Sequence, residues 1–215
     1  MEKHSERHEL VADALRASGA LLEGHFRLSS GNHAAQYVQC ARLLEDPRRA
    51  EQVCGQLAEN ILRSAATLDN KLPPRSGGAR SPADVVIGPA LGGILVAYEL
   101  ARALGVRALF TERVEGVMTL RRGFSLAPRQ RVWIAEDVVT TGRSSLEVAD
   151  VVISLGADVM GIACIVDRRP ADLALPFPVI SALRMEIDIF PPDACPLCAQ
   201  GIPVVKPGSR PGSSA

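Results

Sequence analysis

The sequence predicts an α/β protein with a central, mostly parallel β-sheet flanked by helices. Three observations predict it. Between residues 84 and 166, short apolar runs alternate with helix-length amphipathic stretches, the pattern of parallel strands joined by crossover helices. The apolar runs are continuous and rich in β-branched residues, as strands covered on both faces require. With 47% hydrophobic, 22% charged and only 4% aromatic residues, the composition is that of a globular domain with an aliphatic core.

Residues 6–18 read as a first helix with Leu10, Val11, Ala14 and Leu15 on one face. Residues 20–44 are mixed, with strand-like pieces and a polar turn at 29–31. Asp46 and Pro47 suit a helix start, because aspartate caps free amides and proline fits the first helical position. The stripe Ala50, Val53, Cys54, Leu57, Ala58, Ile61 and Leu62 follows at helical spacing. Residues 69–83, rich in proline, glycine and charge, read as a linker or exposed loop. Strands are expected at 84–87, 107–111, 131–135 and 159–166. Helices are expected at 91–104, closed by Gly105, and at 144–155, with Leu146, Ala149, Val152 and Ile153 inward and Gly156 as the stop. Residues 113–130 read as a long loop or hairpin, and 176–190 as another extended segment. The tail beyond Pro203 is rich in Pro, Gly and Ser, and disorder is expected at its end.

The 215 residues suit one domain with a small annex. A formal net charge of +0 offers no basic excess for nucleic acid. The polar start MEKHSERHEL lacks the apolar run of a secretory signal, and no apolar run approaches a membrane span. A cytoplasmic protein with no nucleic-acid or membrane partner is therefore expected. Five cysteines, Cys40, Cys54, Cys164, Cys195 and Cys198, do not make an even disulfide set. Cys164 lies in an apolar run and reads as a buried small hydrophobe. Cys195 and Cys198 form one CPLC pair, two of the four ligands that structural zinc needs. The pair reads either as a tight turn with free thiols or as part of a metal site, for which a dimer could supply the remaining ligands.

In open α/β sheets ligands sit beyond the carboxyl ends of the strands, so chemistry should follow the strands. The stretch from Val132 to Ser145 runs from an apolar strand into Glu136 and Asp137, then through a hydroxyl- and glycine-containing turn into a helix. Successive amides of such a turn, with the helix N-terminus behind them, form a cradle for phosphate. Carboxylates repel phosphate, so Glu136 and Asp137 are expected to hold ribose hydroxyls or Mg²⁺ beside it. The stretch Ile87 to Ile94 offers a second small-residue turn before a helix, read either as a second anion site or as close packing. No P-loop GxxxxGK[ST] and no Rossmann GxGxxG occurs.

The Glu136–Asp137–turn–helix stretch resembles the phosphoribosyl pyrophosphate (PRPP) signature of the type I phosphoribosyltransferases. The resemblance extends over about residues 10–210 and implies that fold, with a small N-terminal hood. It implies that Glu136 and Asp137 bind ribose, that Val138, Val139, Thr140, Thr141, Gly142, Arg143 and Ser144 bind the 5′-phosphate, and that Ala90, Leu91 and Gly92 receive the pyrophosphate. The stretch from Thr111 to Phe124 is similar to the catalytic loop of orotate phosphoribosyltransferases, which often serves the neighbouring subunit. It makes Arg113, Arg121 and Arg122, with Asp137, the catalytic candidates. Val117 stands where many members carry a loop lysine. Phe26, Arg27, Leu28, Ser29, Ser30 and Gly31, with Tyr37, resemble the hood of that branch, with Ser29 in place of another lysine. Arg168 and Thr140 match the residues that contact orotate, and an arginine can pair its carboxylate bidentately. Without the resemblance, 111–124 is a basic hairpin and Arg168 a surface charge ending a strand. His25 and His33 are read as possible lining of the hood.

The expected organisation is therefore helix and hood at 1–45, a PRPP-binding core at 46–190, and a CPLC turn and tail at 191–215. The resemblance implies a homodimeric, Mg²⁺-dependent glycosyltransferase (a pentosyltransferase) of pyrimidine biosynthesis, joining PRPP to orotate. The alternatives are a purine phosphoribosyltransferase and a non-catalytic PRPP-sensing regulator on the same fold.

Overall fold

The computed structural model describes residues 2–28, 30–68 and 82–207. Most of the 69–83 linker, Ser29 and the tail beyond Pro207 lie outside the described residues. In chain order the elements are α1 (Glu2–Ala17), β1 (Leu21–Arg27), β2 (His33–Val38), α2 (Ala41–Leu44), α3 (Pro47–Leu68), β3 (Val85–Pro89) and α4 (Gly92–Leu104). Then come β4 (Arg107–Val114), β5 (Val117–Leu120), β6 (Arg131–Val139), α5 (Arg143–Ser154), β7 (Asp158–Asp167), β8 (Val179–Arg184), β9 (Ile189–Phe190) and α6 (Pro196–Ala199).

The main sheet has the order β5-β4-β3-β6-β7-β8, parallel except for β5, which returns antiparallel to β4 as a hairpin. Alternation along each strand feeds two separate cores. Val86, Trp133, Ala135, Ala163 and Ile165 face one way, onto Val53, Leu57 and Ile61 of α3 and Val96 and Leu100 of α4. Val85, Ile87, Val132, Ile134, Ile162 and Cys164 face the other way, onto Val148, Ala149 and Val152 of α5. Strands covered on both sides must be apolar at every position, which is why they read as unbroken runs.

At the start of α3, Asp46 Oδ1 accepts the Arg48 amide at 3.0 Å, the expected cap. Its stripe is buried from Ala50 to Ile61, while Leu62 is exposed, as is Leu10 on α1. Three expectations shift. β6 continues four residues beyond Ala135, because Val138 and Val139 pair with Val166 and Asp167 of β7. The inward face of α5 is Ser145, Val148, Ala149 and Val152, with Ile153 53% exposed, because the helix lies rotated by about one residue on the sheet. Residues 189–190, expected within the core unit, pair as β9 with β2 in a small antiparallel sheet of order β1-β2-β9. Val205 also bridges to Phe26, so the chain beyond 188 returns to the hood.

β3 meets α4 at a backbone contact that only glycine allows. A Cβ on Gly88 would lie 2.2 Å from the Gly93 carbonyl oxygen, and one on Gly93 would lie 2.7 Å from the Ala135 carbonyl oxygen. Both obstacles are main chain and cannot rotate away. Gly88→Ala should lower the unfolding free energy by about 3 kcal/mol or more, read as a shift of the urea midpoint.

Candidate active site

The parallel register brings the carboxyl ends of β3, β6 and β7 to one edge: Ile87 pairs with Ile134, and Val139 with Asp167. The segments that follow those strands hold Ala90 to Gly92, Thr140 to Ser145, and Arg168. Sequence reading singled out these three segments separately, and the sheet gathers them.

The turn after β6 is open to a ligand. Gly142 adopts a left-handed φ of 73° as the N-cap of α5, and a Cβ there would fall 2.6 Å from Leu175 Cδ1. That reversal fans out successive amides. Among the described residues, no protein acceptor meets the amides of Thr140, Thr141, Gly142, Ser144 or Ser145, while the Arg143 amide approaches Thr141 Oγ1 at 3.4 Å. Glu136 and the residues from Val138 to Ser145 line a hollow of about 70 Å³. Ser145 was not among the expected site residues. Its hydroxyl is buried without a partner at the rim of the hollow. Its signal in the sequence was the Ser144-Ser145 doublet at a helix start.

Glu136 and Asp137 form no ion pair with any described residue. Asp137 Oδ1 accepts the neighbouring Val138 amide at 2.8 Å, and the Asp137 amide also serves both carboxylates. Burial, and then the Asp137 charge, push Glu136 up to about 8. Burial also raises Asp137, with the Val138 amide opposing the shift. The two turns meet here, since a Cβ on Gly92 would lie 2.8 Å from the Asp137 carboxyl atoms. In the 87–94 turn, then, Gly88 and Gly93 serve close packing, while Gly92 clears room for Asp137. The Ala90–Leu91 peptide is cis, and Leu91 projects into solvent.

The raised acid has a consequence for stability. The unfolded chain releases the Glu136 proton near its ordinary 4.5, whereas the folded chain keeps it to about 8. The folded state therefore holds the extra proton within that window, and the associated stability, full below the ordinary value, is lost as pH rises through about 8. Urea titrations of the ligand-free protein should show stability falling with pH across this window, and Glu136→Gln should flatten the slope.

Arg168 extends from the end of β7, half-buried. Its Nε is buried without a partner, burial lowers its pKa, and Tyr37 of the hood is the group whose charge opposes that shift. The next residue differs: Arg169 clasps Asp167 at 3.0 and 2.9 Å, and Arg184 joins the same carboxylate at 2.8 Å. Of two adjacent arginines, one is neutralised and the other has no counter-ion among the described residues.

The three loop arginines do not converge. Arg113 is ion-paired with Glu147 of α5 and donates to the Gly116 carbonyl at 3.0 Å. Arg122 makes two bonds of 2.8 Å to Glu112. Arg121 makes no ion pair with a described residue. Glu147, which also holds Arg143 at 3.0 Å, was missed; its signal was the i,i+4 spacing from Arg143. Val117 is exposed at the start of β5, paired with Val114 across the hairpin turn. His25 and His33 are buried, facing each other and the CPLC cysteines, and His33 also lines a hollow with Arg27, Leu28 and Gly31 of the hood.

A family model described as a phosphoribosyl transferase domain matches residues 42–188. An orotate phosphoribosyltransferase of Heliobacterium modesticaldum is 50% identical over 200 residues, covering 93% of this chain and 97% of that protein. One from Desulforamulus reducens is 45% identical over 202 residues, 94% of this chain and 97% of that protein. Among solved structures, orotate phosphoribosyltransferase from Aeropyrum pernix superposes with a TM-score of 0.63 at 26% identity, over 81% of this chain and 93% of that one. An adenine phosphoribosyltransferase structure, at 16% identity and a TM-score of 0.56, shares the fold. Similarity at this level, sustained along nearly the whole length, means that this chain belongs to the phosphoribosyltransferase family, in its orotate phosphoribosyltransferase branch.

Proposed function

We propose that the protein transfers the 5-phosphoribosyl group from PRPP to orotate, giving orotidine 5′-phosphate and pyrophosphate, a step of pyrimidine biosynthesis. One observation carries this reading. Five unpartnered amides, two buried acids without a cation and an arginine without a counter-ion share the carboxyl edge of one sheet. Each lacks what a different part of the two substrates supplies.

In this reading the Thr140–Ser145 amides hold the 5′-phosphate, and Glu136 and Asp137 accept hydrogen bonds from the ribose 2′- and 3′-hydroxyls. The turn of Ala90, Leu91 and Gly92 faces the pyrophosphate. Arg168 pairs with the orotate carboxylate, and Thr140 contacts the same ring. An orotate ring nitrogen then displaces pyrophosphate at the anomeric carbon. The chain's part is to hold both reactants aligned and to neutralise a departing polyanion. Arg121 is free to do so; Arg113 and Arg122 must first leave Glu147 and Glu112. The donor chemistry fits a hard cation, since two buried carboxylates lie beside the expected polyanion without a basic partner. Mg²⁺ entering with PRPP would supply charge neutralisation on the leaving group. A cytoplasmic homodimer, with the hairpin serving the neighbouring subunit, completes the proposal. Among the described residues no helix is long and apolar enough to cross a membrane.

Incubation with PRPP, Mg²⁺ and orotate should deplete orotate absorbance with release of one pyrophosphate per turnover. Turnover with adenine, guanine or xanthine but not orotate would move the protein to the purine branch. PRPP binding without turnover on any base would make it a regulator.

A further inference from the structure

Outside the substrate edge, four potential metal ligands converge. His25 on β1, His33 on β2, and Cys195 and Cys198 of the CPLC turn bring their ligand atoms within 4.8 Å of one another. His25 Nε2 lies 3.5 Å from Cys195 Sγ and 3.7 Å from Cys198 Sγ, and His33 Nδ1 lies 3.3 Å from Cys198 Sγ. A tetrahedral zinc with Zn–N of about 2.0–2.1 Å and Zn–S of about 2.3 Å would set its nitrogen and sulfur ligands about 3.5 Å apart. The two imidazole nitrogens, at 2.9 Å, sit slightly inside their edge of about 3.3 Å.

Hydrogen bonding alone accounts for this cluster poorly. His25 Nδ1 donates to the Ile202 carbonyl at 2.7 Å, which fixes the tautomer and leaves one lone pair on Nε2. Three groups crowd that lone pair: the His33 ring and both sulfurs. A central cation satisfies all four ligands together. The surroundings give the same answer from the side of stability. Neither the turn at Pro192–Ala194 nor α6 contains a buried residue, and Ile202, Val204 and Val205 are exposed. Apart from this cluster and the His25–Ile202 bond, the segment is tied to the hood by the Val205–His25 and Arg27–Val205 backbone bonds at 2.8 and 2.9 Å. A short segment with so little apolar burial needs a staple.

We propose that His25, His33, Cys195 and Cys198 form a structural zinc site that fastens the C-terminal segment to the hood within one chain. Four protein ligands leave no open position, so the metal is structural rather than catalytic. Two thiolates with two imidazoles suit zinc.

The test uses the untagged full chain, purified without chelator. Elemental analysis should find about one zinc per chain, and Cys195→Ser or Cys198→Ser should remove most of it. Cobalt(II) exchanged into the site should show thiolate charge-transfer bands and the strong visible absorption of tetrahedral cobalt. Cys198 is the only exposed thiol of the five, so as a free thiol it would react at once with a disulfide reagent. Bound to zinc, it should react about tenfold more slowly until chelator is added. If the serine variants fail to fold, the wild-type zinc content and thiol kinetics decide. Protein that carries no zinc, takes up none when zinc is added and reacts immediately at Cys198 would overturn the proposal; an iron–sulfur spectrum would overturn the choice of metal. None of these readouts depends on the transferase reaction, so a failed orotate assay leaves this test intact.

Discussion

Arg168→Ala should raise the orotate concentration for half-maximal rate about 100-fold, while the PRPP dissociation constant changes by less than about twofold. The guanidinium is half-buried and carries a buried Nε without a partner, whereas its neighbour Arg169 is fully engaged by Asp167. A charge-assisted pair is worth about 1.5–3 kcal/mol, and each 1.4 kcal/mol is about tenfold in affinity. Arg168→Lys keeps the charge but loses the planar fork, so an intermediate loss of about tenfold is expected. Because removing an uncompensated cation costs the fold nothing it was using, thermal stability should not fall. Saturation kinetics with each substrate varied in turn separate these outcomes. An unchanged orotate requirement in the alanine variant would remove Arg168 from the base site.

The Glu136→Gln/Asp137→Asn double variant should lower kcat/KM for PRPP by about 1,000-fold and make the ligand-free protein more stable. For assays above about pH 8, where Glu136 is ionised, two charge-assisted bonds to a diol amount to about 3–6 kcal/mol, hence the loss. The gain follows from the same burial. Glu136 is pushed up to about 8 and Asp137 is raised, both first by burial, so each carboxylate opposes folding once ionised. Neutral amides of the same shape remove that cost. Opposite changes in activity and melting temperature are the mark of residues kept for binding at the expense of stability. A variant that loses both would place the acids among structural residues, and one that keeps its activity would sink the diol assignment.

What was legible in the sequence is what a contiguous stretch of backbone decides. The strand, acid pair, turn and helix from Arg131 to Ser154 carry their own geometry, because a left-handed glycine and a helix N-terminus orient neighbouring amides whatever lies elsewhere. The α3 start at Asp46 and Pro47 and the unbroken strand runs belong to the same class. Even there, the end of β6 was set too early, since pairing with β7 and not composition carries it to Val139.

The sequence by itself thus determined the fold class and the order of the substrate-facing segments. Tertiary structure alone decided which charges remain unpaired. Glu147 captures Arg113 from 34 residues away, Glu112 captures Arg122, and Asp167 takes Arg169 while leaving Arg168. It also decided that His25 meets Cys195 across 170 residues, turning half a motif into four ligands. The physical reason is the range of the forces involved. Backbone geometry is settled within a turn or two of chain, whereas the partner of a charge or a thiol is whichever group the finished fold brings within about 4 Å.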